Sequence, residues 1–595
     1  MKKRVADIIM ETLVEQGVTQ CFGVVGGGAM HLDNALALND NINKVFNHHE
    51  QASAMAAEAY ARVSGEIAAV CVTSGPGATN TLTGVMGCWQ DSLPMIVLSG
   101  QVRYEISVPK SGLDLRYRGM QEFDIINSIK NMTKYSCMIT DPLAAKREVI
   151  KAIAISKAGR RGPVWLDIPL DIQSAIVEED ELYTYDEEIY VPTFSETDYD
   201  LIEKRLKEAK RPVILAGNGI ANSDNLESFR CFAEKLNIPV VAACIAADVM
   251  YRDNDLYYGL SGSIGPRTGN FIIQNADVIL SLGCNLGFKE TGFAQEKFAP
   301  KAHIIAVDVD EDEMKKPGVR VDDFIHADLS SFFEIANSRA DAIEVEATWL
   351  DYCNHLRKRF TPFEAASEVD ENERVCSYKF WEVYEQYETP DSISVLGNNT
   401  ANSAKLQIGV KQQNQRIVAN NNCGSMGADL PEAIGAAIAS GREVICLTGD
   451  GSIMMNLQEL QTIHHYKLPV KVVVFSNDGY NAIRQTSKNF FDGVCIGCTE
   501  ETGVSFPSFE KVADTFGYDY MICHTNKELP AVLNVFFKAK GNVLLEVEQR
   551  LDDPVTPKVM SRMNEDGSFS TPSLEDMAPF ISKEEHDSLM LWEEE

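Results

Sequence analysis

Positive charge is scarce in this sequence. Against 87 Asp and Glu there are 54 Lys and Arg, a formal net charge of −33 over 595 residues. No stretch clusters Lys and Arg as a nucleic-acid surface requires, so no nucleic-acid partner is expected. Any anionic ligand must be held locally, by backbone amides, helix N-termini or a metal ion. Long apolar runs are missing too: none approaches the roughly 20 residues that span a bilayer. The opening segment, MKKRVADIIMETLVEQG, is interrupted by Asp7, Glu11 and Glu15 and reads as an amphipathic helix rather than a signal peptide. No membrane partner is expected. The fourteen cysteines show no disulfide framework and sit in apparent core segments such as residues 69 to 73, which points to a reducing cytoplasm. One CxxC, Cys495 to Cys498 in GVCIGC, lacks the second pair or the His that zinc would need. Short-period repeats and low-complexity tracts are absent as well.

What is present is apolar content, 45%, enough for several cores in a chain whose length suggests roughly three to five domains. Three stretches alternate short apolar strands with helical segments, the pattern of α/β domains with parallel sheets. The first, 1 to 180, carries IAAVCVT (67 to 73), MIVLS (95 to 99) and VWLDI (164 to 168). An acidic stretch, VEEDELYTYDEEIYVP, follows as a solvated linker. The second, 195 to 340, carries PVILAG (212 to 217), DVILSLG (277 to 283) and HIIAVDVD (303 to 310). After a polar segment to about 375, the third, 375 to 550, carries SISVLG, EVICLTGDG, VKVVVFSND and NVLLEVE. The tail, 551 to 595, has few signals.

Two motifs stand out. FNHHEQASAMAAEAYAR (46 to 62) has an alanine face suited to close helix packing, headed by a carboxylate, Glu50; by itself, Asn47 with Glu50 three residues on fits a capping box. The more specific signal is EVICLTGDGSIMMNLQELQTIHHYKLPVKVVVFSNDGYN (443 to 481). A strand ends at Gly449-Asp450-Gly451-Ser452, a helix follows, and a second strand ends at Asn477-Asp478-Gly479. In a right-handed βαβ unit both strand ends reach the same sheet edge, bringing Asp450 and Asn477 together. A carboxylate, an amide oxygen and a free turn carbonyl suit a hard cation, and amides at Gly451 and Ser452 can cradle an anion. As an isolated motif, GDG is equally a tight turn with Asp450 as an N-cap.

GDG followed by about 25 to 30 residues and then Asn resembles the signature of thiamine diphosphate enzymes. The flanking segments FGVVGGGAM, NHHEQASAMAAEAYAR, TSGPGATN, RGPVWLDIP, GSMGADLPEAIGAA, GDGS and SNDGY are similar to those of acetohydroxyacid (acetolactate) synthases and related 2-oxoacid decarboxylases, in order along nearly the whole chain. The resemblance implies three doubly wound α/β domains with parallel sheets: a pyrimidine-binding domain, a central nucleotide-fold domain and a diphosphate-binding domain, with the tail as an active-site cover. It implies Mg²⁺ at Asp450, Asn477 and the Gly479 carbonyl, the diphosphate near Gly449, Gly451, Ser452, Asn398 and Asn399, the cofactor's 4′-amino group on the Gly424 carbonyl, and Met426 wedging the cofactor into its bent form. Glu50 would face pyrimidine N1′, where a carboxylate held away from water can share a proton and promote removal of the thiazolium C2 proton. Gln121, His49 and Gln485 become candidate substrate contacts, His48 stays open beside His49, and His464 and His465 read as structural. Because family sites combine domains of two subunits, a homodimer or homotetramer is implied.

The sequence departs from the synthases at Leu170, Met120, Asn285 and Thr486, where those enzymes carry Lys, Phe, a flavin-contacting Arg and an acceptor-selecting Trp. FAD binding and branched-chain amino-acid synthesis are thereby left open. NDGYNAIRQTSKNFF also resembles thiamine enzymes associated with bacterial polysaccharide genes, which points to a keto-sugar acceptor. The expected function is a carboligase that decarboxylates pyruvate or a similar 2-oxoacid and passes the acyl unit to an oxoacid or keto-sugar. A simple decarboxylase and a non-catalytic nucleotide-binding paralogue are the alternatives.

Overall fold

Parallel strands buried on both faces must be apolar throughout, and β-branched side chains pack best on their pleated surfaces. The short apolar runs of this chain meet that demand and become strands. The computed structural model describes residues 1–367, 369–563 and 569–592. It contains three six-stranded parallel sheets. The first runs Asn43–Phe46, Gln20–Gly23, Ala68–Val72, Met95–Gln101, Pro163–Pro169, Tyr135–Met138 across the sheet. The central sheet runs Tyr257–Ser261, Val240–Ala243, Pro212–Ala216, Val278–Leu282, His303–Asp308, Asp323–His326. The third runs Arg416–Val418, Ile393–Leu396, Val444–Gly449, Val470–Ser476, Val543–Glu548, Asp519–Cys523. Numbered within each domain, the outer two sheets share the order 2-1-3-4-6-5, while the central one has the dinucleotide-fold order 3-2-1-4-5-6.

Open parallel sheets bind ligands beyond the C-terminal strand ends, where the strand order reverses. In the first sheet that point lies between Gln20–Gly23 and Ala68–Val72, which lead into VVGGGAM and TSGPGATN. In the third it lies between Ile393–Leu396 and Val444–Gly449, which lead into Gly397-Asn398-Asn399 and Asp450-Gly451-Ser452. The fold thus sets the distinctive motifs at two crevices.

The outer domains meet helix to helix, Glu50–Ser64 against Asp429–Ser440, and contribute to one hydrophobic core. Small residues make the approach possible. A Cβ on Gly435 would lie 2.0 Å from the Ala56 carbonyl oxygen. Charge is buried in this seam: Arg62 bridges Glu58 (3.1 Å) and Asp91 (2.5 Å), and Asn420 donates to Glu58 at 2.9 Å. Glu432, also fully buried, has no partner for either oxygen among the described residues.

Two segments differ from the sequence reading. The polar stretch after residue 340 contains a helix, Ala347–Arg359, whose buried Trp349, Cys353 and Leu356 pack on the central domain. Its other faces are charged, which is why it reads as a separator. The tail's described residues begin on the third domain, where Leu551 accepts from Arg484 and Asp553 from Ser377, and then run along the central domain: Arg267 donates to the Met577 and Pro579 carbonyls, Asn270 to Leu574, and Trp592 stacks on Arg211. No helix among the described residues is long and apolar enough to cross a membrane, and all fourteen cysteines are free thiols.

Candidate active site

Strands Val444–Gly449 and Val470–Ser476 are neighbours with Gly449 opposite Phe475, so the residues after them emerge together. Asp450, 3% exposed, closes the gap. Its Oδ2 accepts from the Asn477 amide at 2.9 Å and the Gly479 amide at 3.4 Å, and its Oδ1 accepts from Gly451 at 2.8 Å. Burial pushes this carboxyl up to about 6, against the pull of those three backbone donors. The helix opened by Asp450 is a single turn, Asp450–Ile453, shorter than the sequence suggests, with the next helix starting at Glu459. An anion held here would therefore rest on individual amides more than on a helix dipole. Gly479 has φ 149°, and a Cβ there would meet the Cys498 carbonyl oxygen at 2.1 Å. Only glycine leaves that turn, and its carbonyl, in place. A Cβ on Gly451 would strike the Tyr480 ring at 2.2 Å.

Across the crevice, the Asn399 side chain caps helix Thr400–Ile408 through its Oδ1, leaving its Nδ2 buried with no hydrogen-bond partner among the described residues. Ser425 Oγ, between Gly424 and Met426, is likewise buried with none among the described residues. Two orphaned polar atoms beside an oxygen-rich turn are what a polar cofactor would satisfy. Asn398 donates to the Gly424 carbonyl at 2.5 Å, which leaves that oxygen one more lone pair to offer. Ser452 Oγ accepts from the Gly427 amide at 2.9 Å and donates to buried Asp429 at 2.7 Å, tying the GSMG loop to the GDGS turn. The donor set of one carboxylate, one amide oxygen and one carbonyl, with phosphate oxygens completing the shell, fits Mg²⁺. It also explains why no cluster of three His, Cys, Asp or Glu residues suited to a metal occurs among the described residues.

Glu50 opens its helix but not as a capping-box partner. The N-cap is His49, whose ring Nδ1 accepts from the Gln51 amide at 3.0 Å. Asn47 instead donates to Glu459 at 2.9 Å and accepts from Ser53, because a distant buried carboxylate competes for it. The Glu50 carboxylate is half-buried; it accepts from Asn80 at 2.9 Å and lies near Gly77 in the TSGPGATN turn. Gln121, with φ 60°, places its carbonyl against Gly75 of the same turn, where any side chain on residue 75 would collide with it. Gly77 thus lies beside Glu50 and Gly75 beside Gln121, on one turn. His48 is exposed, and its amide donates to Glu459. Gln51 accepts from Asn456, which also donates to the Gly427 carbonyl, so the neighbour of Glu50 is wired to the GSMG loop. Sequence reasoning missed Asn80, Asn456 and also Arg484, which donates to the Asn477 carbonyl at 2.8 Å and the Leu551 carbonyl at 2.9 Å. Asn80 closes the quoted TSGPGATN; the other two depend on tertiary contacts.

A separate cavity of about 290 Å³ opens at the switch point of the central sheet, lined by Asn218, Gly219, Gly283, Asn285 and Glu290. Glu290 is 3% exposed, its Oε1 has no hydrogen-bond partner among the described residues, and burial pushes it up to about 7. The cavity's arginines are paired with acids: Arg160 with Asp310 and Glu313, Arg161 with Asp224.

Two crevices of equal strand order, one edged by an oxygen-donor turn and the other by a helix-borne glutamate, define an α/β enzyme class that holds a diphosphate cofactor between domains. The chain belongs to the thiamine pyrophosphate enzyme family. Residues 3–127 match the N-terminal TPP binding domain of thiamine pyrophosphate enzymes, 200–334 the central domain and 396–547 the C-terminal TPP binding domain. It is 28% identical to the acetolactate synthase isozyme 1 large subunit of Escherichia coli (strain K12), over 93% of this chain and 95% of that one. It is 31% identical to a probable acetolactate synthase large subunit of Methanocaldococcus jannaschii, over 86% of each, and 28% identical to the acetolactate synthase large subunit of Lactococcus lactis (strain IL1403), over 94% and 95%.

Proposed function

We propose that this enzyme is an acetolactate synthase-like carboligase, dependent on thiamine diphosphate and Mg²⁺, that decarboxylates pyruvate or a similar 2-oxoacid and transfers the acyl unit to a second carbonyl, an oxoacid or keto-sugar. The observation that carries the reading is the bracing of Asn477 and Gly479 by the buried carboxylate of Asp450. When bound, thiamine diphosphate supplies a nucleophilic carbon and an electron sink for loss of CO₂. Asp450, Asn477 Oδ1 and the Gly479 carbonyl would hold Mg²⁺, while Gly449, Gly451 and Ser452 with Asn398 and Asn399 flank the diphosphate. The Gly424 carbonyl would receive an amino hydrogen and Met426 would shape the cofactor's bend. Glu50 would hold a proton at the pyrimidine N1′, and Asn80 keeps its carboxylate oriented. His49 and Gln121 would contact the substrate.

Half-exposure of Glu50 in the single chain supports a site completed by a second copy, in a homodimer or homotetramer. Fourteen free thiols support a cytoplasmic setting. The test is mass spectrometry of products formed from pyruvate with a panel of oxoacids and keto-sugars. The reading expects an adduct that carries the acyl unit. Free aldehyde at full rate without an acceptor would make the enzyme a simple decarboxylase, and no pyruvate consumption with saturating cofactor would refute catalysis altogether.

A further inference from the structure

An amide ligand has two ends of similar shape, and only one of them binds a cation. We infer that Gln549 is a positioning residue that decides which end of Asn477 faces the metal; the inference rests on Asn477 being a metal ligand. Gln549 is fully buried and directly follows strand Val543–Glu548, as Asn477 directly follows Val470–Ser476. Ser476 and Glu548 are paired in register, so the two amides stand side by side.

The orientation is forced link by link. Asp553, 3% exposed, receives both the backbone amide of Ser377 (2.9 Å) and the Ser377 hydroxyl on its Oδ2. A backbone N–H only donates, so that oxygen is an acceptor. The Gln549 atom 2.9 Å from the same oxygen must therefore be its Nε2, which also donates to Ser377 Oγ at 2.8 Å. This turns Gln549 Oε1 toward Asn477, at 3.1 Å, and Asn477 must meet it with Nδ2. Oδ1 of Asn477 is then left on the opposite side, where the Arg484 guanidinium donates to it at 3.4 Å. The orientation passes from a backbone N–H through Asp553 and Gln549 to the proposed ligand atom, and second-layer hydrogen bonds of this kind tune metal affinity by about 10- to 100-fold.

The test uses the full chain with thiamine diphosphate present, Mn²⁺ as the probe, and free Mn²⁺ counted by electron paramagnetic resonance. Gln549→Met weakens Mn²⁺ binding by about tenfold. In an Asn477→Asp background, where either oxygen can serve as ligand, the same change costs under about twofold. Ser377→Ala removes the two hydroxyl bonds, to Asp553 and from Gln549, but keeps the Asp553 acceptor that sets the orientation, and leaves affinity within about twofold. An equal loss in both backgrounds, an unchanged affinity in Gln549→Met, or a tenfold loss in Ser377→Ala would overturn the inference, since each is what a merely structural residue, or none, would give. Asn477→Ala is the separate control: undiminished binding there would instead refute Asn477 as a ligand.

Discussion

The two outer domains share a strand order and a crevice position, yet their ends of the site are built differently. At the Asp450 end, one chain finishes the work: the carboxylate is buried, holds two turns together, and has a further buried network behind it. At the Glu50 end the carboxylate is half-exposed, with Asn80 as its hydrogen-bonding partner. A metal and diphosphate site needs fixed oxygens before the ligand arrives, whereas a carboxylate that exchanges a proton with a bound ring gains from being completed only when the ring is there. The contrast is between a preorganised anchor and an arm left more open in the single chain.

The largest effect tests the anchor. Asp450→Ala should weaken Mg²⁺ and thiamine diphosphate binding together by roughly 100-fold or more in calorimetry, and should lower the melting temperature because three backbone amides lose their acceptor. Undiminished affinity would remove Asp450 from the site. Glu50→Gln tests the arm: cofactor affinity should change only a few-fold, while exchange of the cofactor's C2 proton, followed by NMR, should slow by about 10²- to 10⁴-fold. Unaltered exchange would end the role assigned to Glu50.

Two further changes probe the seam that sets the ends against each other. Gly435→Ala forces a methyl into the Ala56 carbonyl and should cost about 1–3 kcal/mol in chemical denaturation; a neutral result would show that the helices part easily. The smallest effect is a slope with pH. Burial, opposed by Arg62 and reinforced by Asp91, pushes Glu58 up to about 7 from an ordinary 4.5. A carboxyl with a raised folded value favours the folded state fully below about pH 4, and that contribution is lost as pH rises through 7. Glu58→Gln should therefore flatten the fall in stability between pH 5 and 7.5 by on the order of 1 kcal/mol. An unchanged slope would place that titration elsewhere.

The asymmetry between the ends also governs what could be read from sequence. The strands were legible because burial on both faces demands apolar runs, and Asp450 with Asn477 because one βαβ unit carries both. Glu50 was legible through its motif, but Asn47 was misread as a cap because its true partner, Glu459, lies 412 positions away. Gln549 was invisible for the same reason: its adjacency to Asn477 exists only because strand Val543–Glu548 inserts beside Val470–Ser476 while Asp519–Cys523, earlier in the chain, is sent to the edge. Helix Ala347–Arg359 was hidden by a buried stripe too narrow to outweigh its charged faces.

Mixing two inactive variants tests most directly whether the arm of one copy serves the anchor of another. Purified Glu50→Gln and Asp450→Ala proteins, each silent in pyruvate decarboxylation, would be dissociated, combined and reassembled. A site shared between copies leaves one intact site in each hybrid dimer, so activity should return to about a quarter of the native value. No recovery, with hybrids shown to form by native mass spectrometry, would mean that each chain completes its own site and would contradict the account.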